Sequence, residues 1–404
     1  MGPVDHYFGR AVIAEQQRLT IAQFEAHSAA TDQLDRDDDE TPLLGLVGEV
    51  GSLVSALKKK RRDTDGFFGY HEAVVEELGD VLWYISAIAR RGGTSLVEIV
   101  ARVVGTGPAG KILTFDDLAA PQEVLESEAF ELSLLRLAGE AGDLAKRFVE
   151  GAYRDNVDAL RGDLVKLARP LVATAITAQV KLEDAAIDNM KKTEDRWPIE
   201  RQFPVPRDES LHVDEQLPRK MRVLVYEREV NGTKFVFQKM SGVLLGDRLT
   251  DNHLPPDDYR FHDVFHLAHA AVLGWSPTTR ALLKIKRKSQ KAVDENEDGA
   301  RANLIEEGLT TWIFETAKRH NFFANTPRLG LDLLKSVKQF VRGYEAEKLP
   351  MWLWESAILQ GYAVFRILQD TRCGAVVTDM DQRKIWFEPL TEDELRLCGL
   401  KVTD

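Results

Sequence analysis

The sequence predicts a mainly α-helical protein in which two tandem four-helix units form a pseudo-dimer, followed by a mostly helical C-terminal domain with small β-hairpins. Three observations predict it. Apolar residues recur at helical spacing through most of residues 10–200 and again from about 259 to 368. LVGEVGSLVSAL at 46–57 reappears as LAGEAGDLAKRF at 137–148, both copies carrying Gly-Glu-x-Gly-x-Leu. Between the helical regions the pattern becomes alternating in MRVLVYEREV and TKFVFQKM, joined by Asn231-Gly232, the pair that tolerates the positive φ angles of a two-residue turn.

Composition narrows the function classes. At 404 residues, 44% hydrophobic and 29% charged, the chain is expected to be soluble and globular, with roughly two or three domains. A net charge of -12 argues against a protein that coats nucleic acid. Only Cys373 and Cys398 are present, neither a disulfide framework nor a zinc-ribbon spacing, so a reducing cytoplasm is expected. No segment approaches the roughly 20 apolar residues of a membrane span, and the N-terminus has no signal-peptide run, so no membrane partner is expected.

In chain order, residues 10–31 have helical spacing and lead into the acidic, solvated run LDRDDDE at 34–40. The next helix, LLGLVGEVGSLVSALKKKRR, surrounds one carboxylate, Glu49, with apolar residues and exits into Lys58 to Arg62, cations that suit a helix C-terminus. The turn DGFFGY (65–70) leads to VVEELGDVLWYISAI (74–88), where Glu76, Glu77 and Asp80 interrupt an apolar stripe. Residues 77 and 80 share one helix face, so their carboxylates converge. Two carboxylates against an apolar layer repel each other and lose hydration unless a cation offsets them, which points to a divalent metal. A fourth helix runs from Ser95 to Val104 and ends in GTGPAGK, which lacks a preceding strand and the Lys-Ser/Thr ending of a phosphate loop.

The repeat extends further: LGDVLWYISAIA (78–89) aligns with RGDLVKLARPLV (161–172), and SLVEIV (95–100) with KLEDAA (181–186). Two such copies suggest a fused dimer of four-helix units. The second ends at NMKKTEDRWP (189–198), and Pro198, Pro204 and Pro206 mark a linker. The expected domains are therefore 1–110, 111–200, a linker and hairpin at 201–258, and a helical His-rich domain at 259–404 with a second hairpin in GAVVTDMDQRKIWFEP (374–389).

With these motifs in place, residues 15–198 resemble the MazG-like, all-α nucleoside triphosphate pyrophosphohydrolases, whose Glu-x-x-Glu and Glu-x-x-Asp motifs bind Mg²⁺. Glu77 to Asp80 match the second motif and Glu49 opens the first, while Ser52 stands where its second Glu is expected. The second copy has Glu140, Asp143 and Asp163, with Leu160 replacing the opening Glu of its second motif. The resemblance implies Mg²⁺, or Mn²⁺, on Glu49, Glu77 and Asp80, with Glu140, Asp143 and Asp163 as a weaker second set. It implies water attack at the α-phosphorus of a nucleoside triphosphate, releasing the monophosphate and pyrophosphate. Glu76 is a candidate general base, Lys192 or the cluster containing Lys59 would steady the leaving group, and Asn189 and Lys192 would meet the phosphates. Trp83 either packs in the core or stacks on the base. Besides the nucleotide, a second copy of the chain is a candidate partner.

In YRFHDVFHLAHAAVLGW (259–275), His262, His266 and His269 fall at i, i+4 and i+7 on one helix face, with Asp263 beside them. Spacing of four lets a helix supply two histidines to a transition metal, and Glu306 or Glu307 would complete the set, giving a candidate second site of His262, His266 and Glu307. The HExxH signature is absent and no family is recognised in this half. The alternative is a packed helix whose histidines bond to carboxylates, and KIKRKS (284–289) is either a solvated run or a phosphate contact. The competing function is a degenerate nucleotide-binding scaffold whose activity resides in this His/carboxylate site.

Overall fold

In the first 202 residues the helical spacing condenses into α1 (Ile21–Ala30), α2 (Glu40–Asp63), α3 (Tyr70–Arg91), α4 (Leu96–Val104), α5 (Phe115–Ala119), α6 (Phe130–Val149), α7 (Val157–Thr177) and α8 (Leu182–Arg196). The computed structural model describes residues 18–106, 112–119 and 129–401. The expected start of the first helix at 10–17, most of GTGPAGK and the 110/111 boundary lie outside them. α1 starts at 21 because Thr20 and Gln23 form a reciprocal capping box. Ser95 caps α4, and Gly105 ends it at φ 77°.

α2 packs on α3 and α6 on α7, so each repeat contributes a helix pair. The last helix of each copy packs on the other copy: α8 lies on α3, and α4 on α7. Leu46, Leu78 and Ile85 of the first repeat and Leu137, Leu164 and Leu171 of the second are buried in one continuous core. Glycines set the closest approaches. A Cβ on Gly79 would collide with the Ala185 carbonyl oxygen, so only glycine lets α8 come this near α3.

From Lys220 the alternating pattern becomes β1 (Lys220–Val230), β2 (Thr233–Met240) and β3 (Val243–Leu244), and near the end β4 (Cys373–Asp379) and β5 (Lys384–Glu388). Asn231 (φ 51°) and Gly232 (φ 77°) make the expected turn. β1 also pairs antiparallel with β4, Val223 opposite Val376, which fuses both hairpins into one sheet of order β3-β2-β1-β4-β5.

The helices of this half are α9 (Asp263–Ala268), continuing into a π-helical turn at His269–Leu273, then α10 (Pro277–Leu283), α11 (Lys291–Asn296), α12 (Ala300–Arg319), α13 (Leu331–Phe340), α14 (Met351–Thr371) and α15 (Glu392–Cys398). Val223, Phe265, Phe314, Trp354, Phe365 and Val376 share its core. The four expected segments thus regroup into two compact units, Met1–Gln202 and Phe203–Asp404.

Beyond the prolines the expected linker becomes structured. Asp208, 1% exposed, accepts from the Leu217 amide at 2.7 Å, Arg219 Nη2 at 3.0 Å and Arg280 Nη2 at 2.5 Å. Arg287, expected in a solvated or phosphate-facing run, is instead buried, with Nη2 2.7 Å from Asp298 Oδ1 and 2.9 Å from Glu345 Oε1. Two carboxylates compensate its charge where water cannot. Among the described residues no helix is long and apolar enough to cross a membrane.

Candidate active site

Three long helices, α2, α3 and α8, converge on the acidic face of the first unit. α2 supplies Glu49, and one turn and a half of α3 supplies Glu76, Glu77 and Asp80 above the buried Leu78, Val81 and Leu82. Glu49, Glu77 and Asp80 each offer a carboxylate oxygen within 4.8 Å of the others, all half-buried. Burial, followed by the hydrogen bond and charge of Glu49 and the charges of Asp80 and Glu76, pushes the Glu77 carboxyl up to about 9. A carboxyl that holds its proton so strongly marks a place where a cation is favoured.

α8 brings the counter-charges. Asn189 Nδ2 donates to Asp80 Oδ1 at 2.7 Å, and Lys192 Nζ donates to Glu76 Oε1 at 3.1 Å and also to Asp80 Oδ2. Burial disfavours the Lys192 charge, but the Asp80 and Glu76 carboxylates outweigh it and raise its pKa. Asn189 is 3% exposed, and its Oδ1 has no hydrogen-bond partner among the described residues. A buried acceptor left unsatisfied costs free energy and marks a contact point for a ligand.

Tyr84 is the neighbour that sequence reasoning passed over. It follows Asp80 by four residues and Glu77 by seven, so helical spacing places it on their face. Its ring occupies the space that a Cβ of Gly45 would take. Burial, then the charges of Glu49 and Asp80, raise its hydroxyl pKa.

Other candidates are placed elsewhere. Trp83 is 7% exposed within the core, its ring 5.0 Å from that of Tyr84 and its Nε1 without a hydrogen-bond partner among the described residues. Lys59 is exposed and ten residues beyond Glu49 on α2, about 15 Å along a helix, so the fold does not bring it to the acids.

The second repeat does not reproduce the cluster. Asp163, 8% exposed, accepts from Tyr153 Oη at 2.8 Å, Lys166 Nζ at 2.9 Å and Arg147 Nη1 at 3.1 Å, so its charge is already compensated. Asp143 is exposed and Glu140 half-buried. Among the described residues, Glu140, Asp143 and Asp163 form no group of converging ligand atoms. The reason lies in the substitution itself: Leu160, where a Glu would stand, is buried, with its Cδ2 filling the space that a Cβ of Gly92 would need.

In the second unit the fold gathers His262, Asp263, His266 and His269 from α9 and the π turn with Glu306 and Glu307 from α12. His266 and Glu306 are fully buried. His266 Nδ1 is 3.1 Å from Glu306 Oε1, its Nε2 is 3.3 Å from Glu307 Oε1, and His269 Nδ1 is 2.9 Å from Glu306 Oε1. Two sets of three, His262/Asp263/His266 and His266/His269/Glu306, have ligand atoms within 4.8 Å. Sequence spacing found the histidines. It did not show that Glu306 reaches two of them, because that depends on how α12 lies against α9.

The family model for the MazG nucleotide pyrophosphohydrolase domain matches residues 38–105. The MazG C-terminal domain model matches residues 202–391, which corrects the expectation that this half has no recognisable family. Gene 37 protein of Mycobacterium phage L5 is 40% identical over 61 residues, 15% of this chain and 54% of that protein. The chain thus spans about half the length of the curated relative it matches. No solved structure matches the chain.

Proposed function

We propose, since this chain belongs to the MazG-like family, that its first unit hydrolyses a nucleoside triphosphate to the monophosphate and pyrophosphate. One observation carries the reading: Glu49, Glu77 and Asp80 converge from two helices, while Asn189 and Lys192 arrive from a third. Three half-buried carboxylates suit a hard divalent cation that keeps some waters and accepts phosphate oxygens, so they would hold Mg²⁺, or Mn²⁺ in its place. When bound, that ion would neutralise phosphate charge and lower the pKa of a water.

The protein groups around it have separable tasks. Glu76, beside the ligands and paired with Lys192, is placed to take the proton of a water attacking the α-phosphorus. The bond from that phosphorus to the bridging oxygen breaks, and pyrophosphate leaves with the bonding pair. Lys192 steadies the charge gained by the leaving group, and the free Oδ1 of Asn189 receives a donor from the nucleotide. The exchange of α4 and α8 between repeats supports a pseudo-dimer with one working site assembled from both copies. The compensated Asp163 supports a second site that has lost its metal. The two free cysteines fit a reducing cytoplasm.

A panel of nucleotides assayed for pyrophosphate against phosphate tests the reading. Pyrophosphate release that requires Mg²⁺ and disappears in Glu77→Gln and Asp80→Asn, both with unchanged circular dichroism, is expected. Phosphate as the first product, or full turnover in both variants, overturns it.

A further inference from the structure

We propose that the second unit holds a transition-metal ion on His262 Nε2, His266 Nε2, Asp263 and Glu307, with Glu306 as the outer carboxylate that orients the centre. The site lies in another unit from the acids of α2 and α3 and does not depend on their function.

The donors are prepared individually. His262 Nδ1 is 2.9 Å from the Tyr259 carbonyl oxygen, which only accepts, so a neutral ring carries its proton there and leaves Nε2 as a lone pair. Tyr259 stacks on the same ring at 4.3 Å between centroids and 2° between planes, fixing its orientation. For His266, the carboxylate at Nδ1 favours the same tautomer. The two Nε2 atoms then share acidic neighbours: Asp263 Oδ1 is 3.1 Å from that of His262, and Glu307 lies 3.8 Å from it and 3.3 Å from that of His266. Asp263 commits its other oxygen to Gln238 Nε2, which leaves Oδ1 for the centre.

Glu306 plays a different part. Oε1 meets His266 and His269, while Oε2 accepts from Ser276 Oγ at 3.1 Å and the Thr278 amide at 2.9 Å. Its oxygens are committed, so it acts as the carboxylate behind a metal-binding histidine, an arrangement that fixes ring orientation and raises ligand basicity.

An independent observation points to a missing partner. His266 is fully buried, and among the described residues neither of its ring nitrogens meets hydrogen-bond geometry, although Glu306 Oε1 stands 3.1 Å from Nδ1 and Glu307 Oε1 3.3 Å from Nε2. A buried imidazole left in that state calls for a ligand. The π-helical turn directly after α9 is a distortion frequent at functional sites. Two imidazoles with carboxylates select Zn²⁺, Mn²⁺, Fe²⁺ or Co²⁺ over Mg²⁺, which prefers oxygen alone. The Glu307 side chain, 40% exposed, gives the ion a path from solvent.

The test uses the full chain, stripped with chelator and titrated with Co²⁺ in excess Mg²⁺, followed by visible absorption and by elemental analysis after gel filtration. One Co²⁺ per chain is expected, retained in Glu77→Gln. His262→Ala and Glu307→Gln should each weaken binding at least about 100-fold, and Glu306→Gln about 10- to 100-fold. Glu307→Gln conserves volume at a part-exposed position, so it remains informative if His262→Ala does not fold. Absence of stoichiometric Co²⁺ in the parent protein overturns the proposal and leaves His266 as an imidazolium held between Glu306 and Glu307. Retention of Co²⁺ in Glu307→Gln also overturns it.

Discussion

Asp80 joins two chemistries: it converges with Glu49 and Glu77, and it receives Asn189 and Lys192. Lys192→Met should therefore lower kcat by about 100-fold or more, the effect of removing one preorganised donor, whereas Lys59→Ala should stay within about twofold. Steady-state pyrophosphate release checks both. Position 77 and position 80 were legible in the sequence because a spacing of three puts two carboxylates on one helical face, and Glu49 because its motif occurs twice. Lys59 was misleading since basic residues near a motif in sequence can be several helical turns away. Asp208 allows a test of pH dependence. Burial opposes its ionisation, but the Leu217 amide and the Arg280 and Arg219 charges more than offset this and hold its carboxyl below the usual range. A depressed folded-state pKa gives stability that is full above the unfolded value of about 4 and lost as pH falls through the folded one. Denaturant unfolding should thus show acid-induced weakening below about pH 4. Asp208→Asn should remove part of that weakening while costing about 3–5 kcal/mol at pH 7, since it takes from Arg280, 2% exposed, its nearest carboxylate.

The approach of α8 to α3 decides whether the site exists, and Gly79 permits it. Gly79→Ala should cost about 1–3 kcal/mol by overpacking and should also reduce turnover, because α8 carries Asn189 and Lys192. Gly162, the matching position in α7, has open space where a Cβ would project, with no atom of the described residues within 4 Å. There Gly→Ala should be neutral or stabilising by about 0.5–1 kcal/mol, through the better helix propensity of alanine. Urea unfolding of the two variants gives the comparison. The Gly-Asp pair is visible in both copies, yet only one glycine is a contact. Periodicity specifies which face of a helix is apolar but not which neighbour covers it, so the exchange of α4 and α8 was outside its reach.

The two compact units have separate cores, the first built from both repeats and the second from helices around one antiparallel sheet. Residues 1–202 expressed alone should therefore remain helical and retain pyrophosphate release within about threefold, a size of effect set by well under 1 kcal/mol. Loss of folding on truncation would show that the first unit depends on the second. The sequence by itself determined the helical class, the Asn-Gly hairpin and the residues bearing charge on apolar faces, because each of these is a local pattern read along one chain segment. Tertiary structure alone decided that the two hairpins form one sheet, that Leu160 closes the second copy while Asp163 pairs with Arg147 and Lys166, and that Glu306 stands behind His266. Those outcomes depend on distances between segments far apart in sequence, and burial and pairing energies act through those distances.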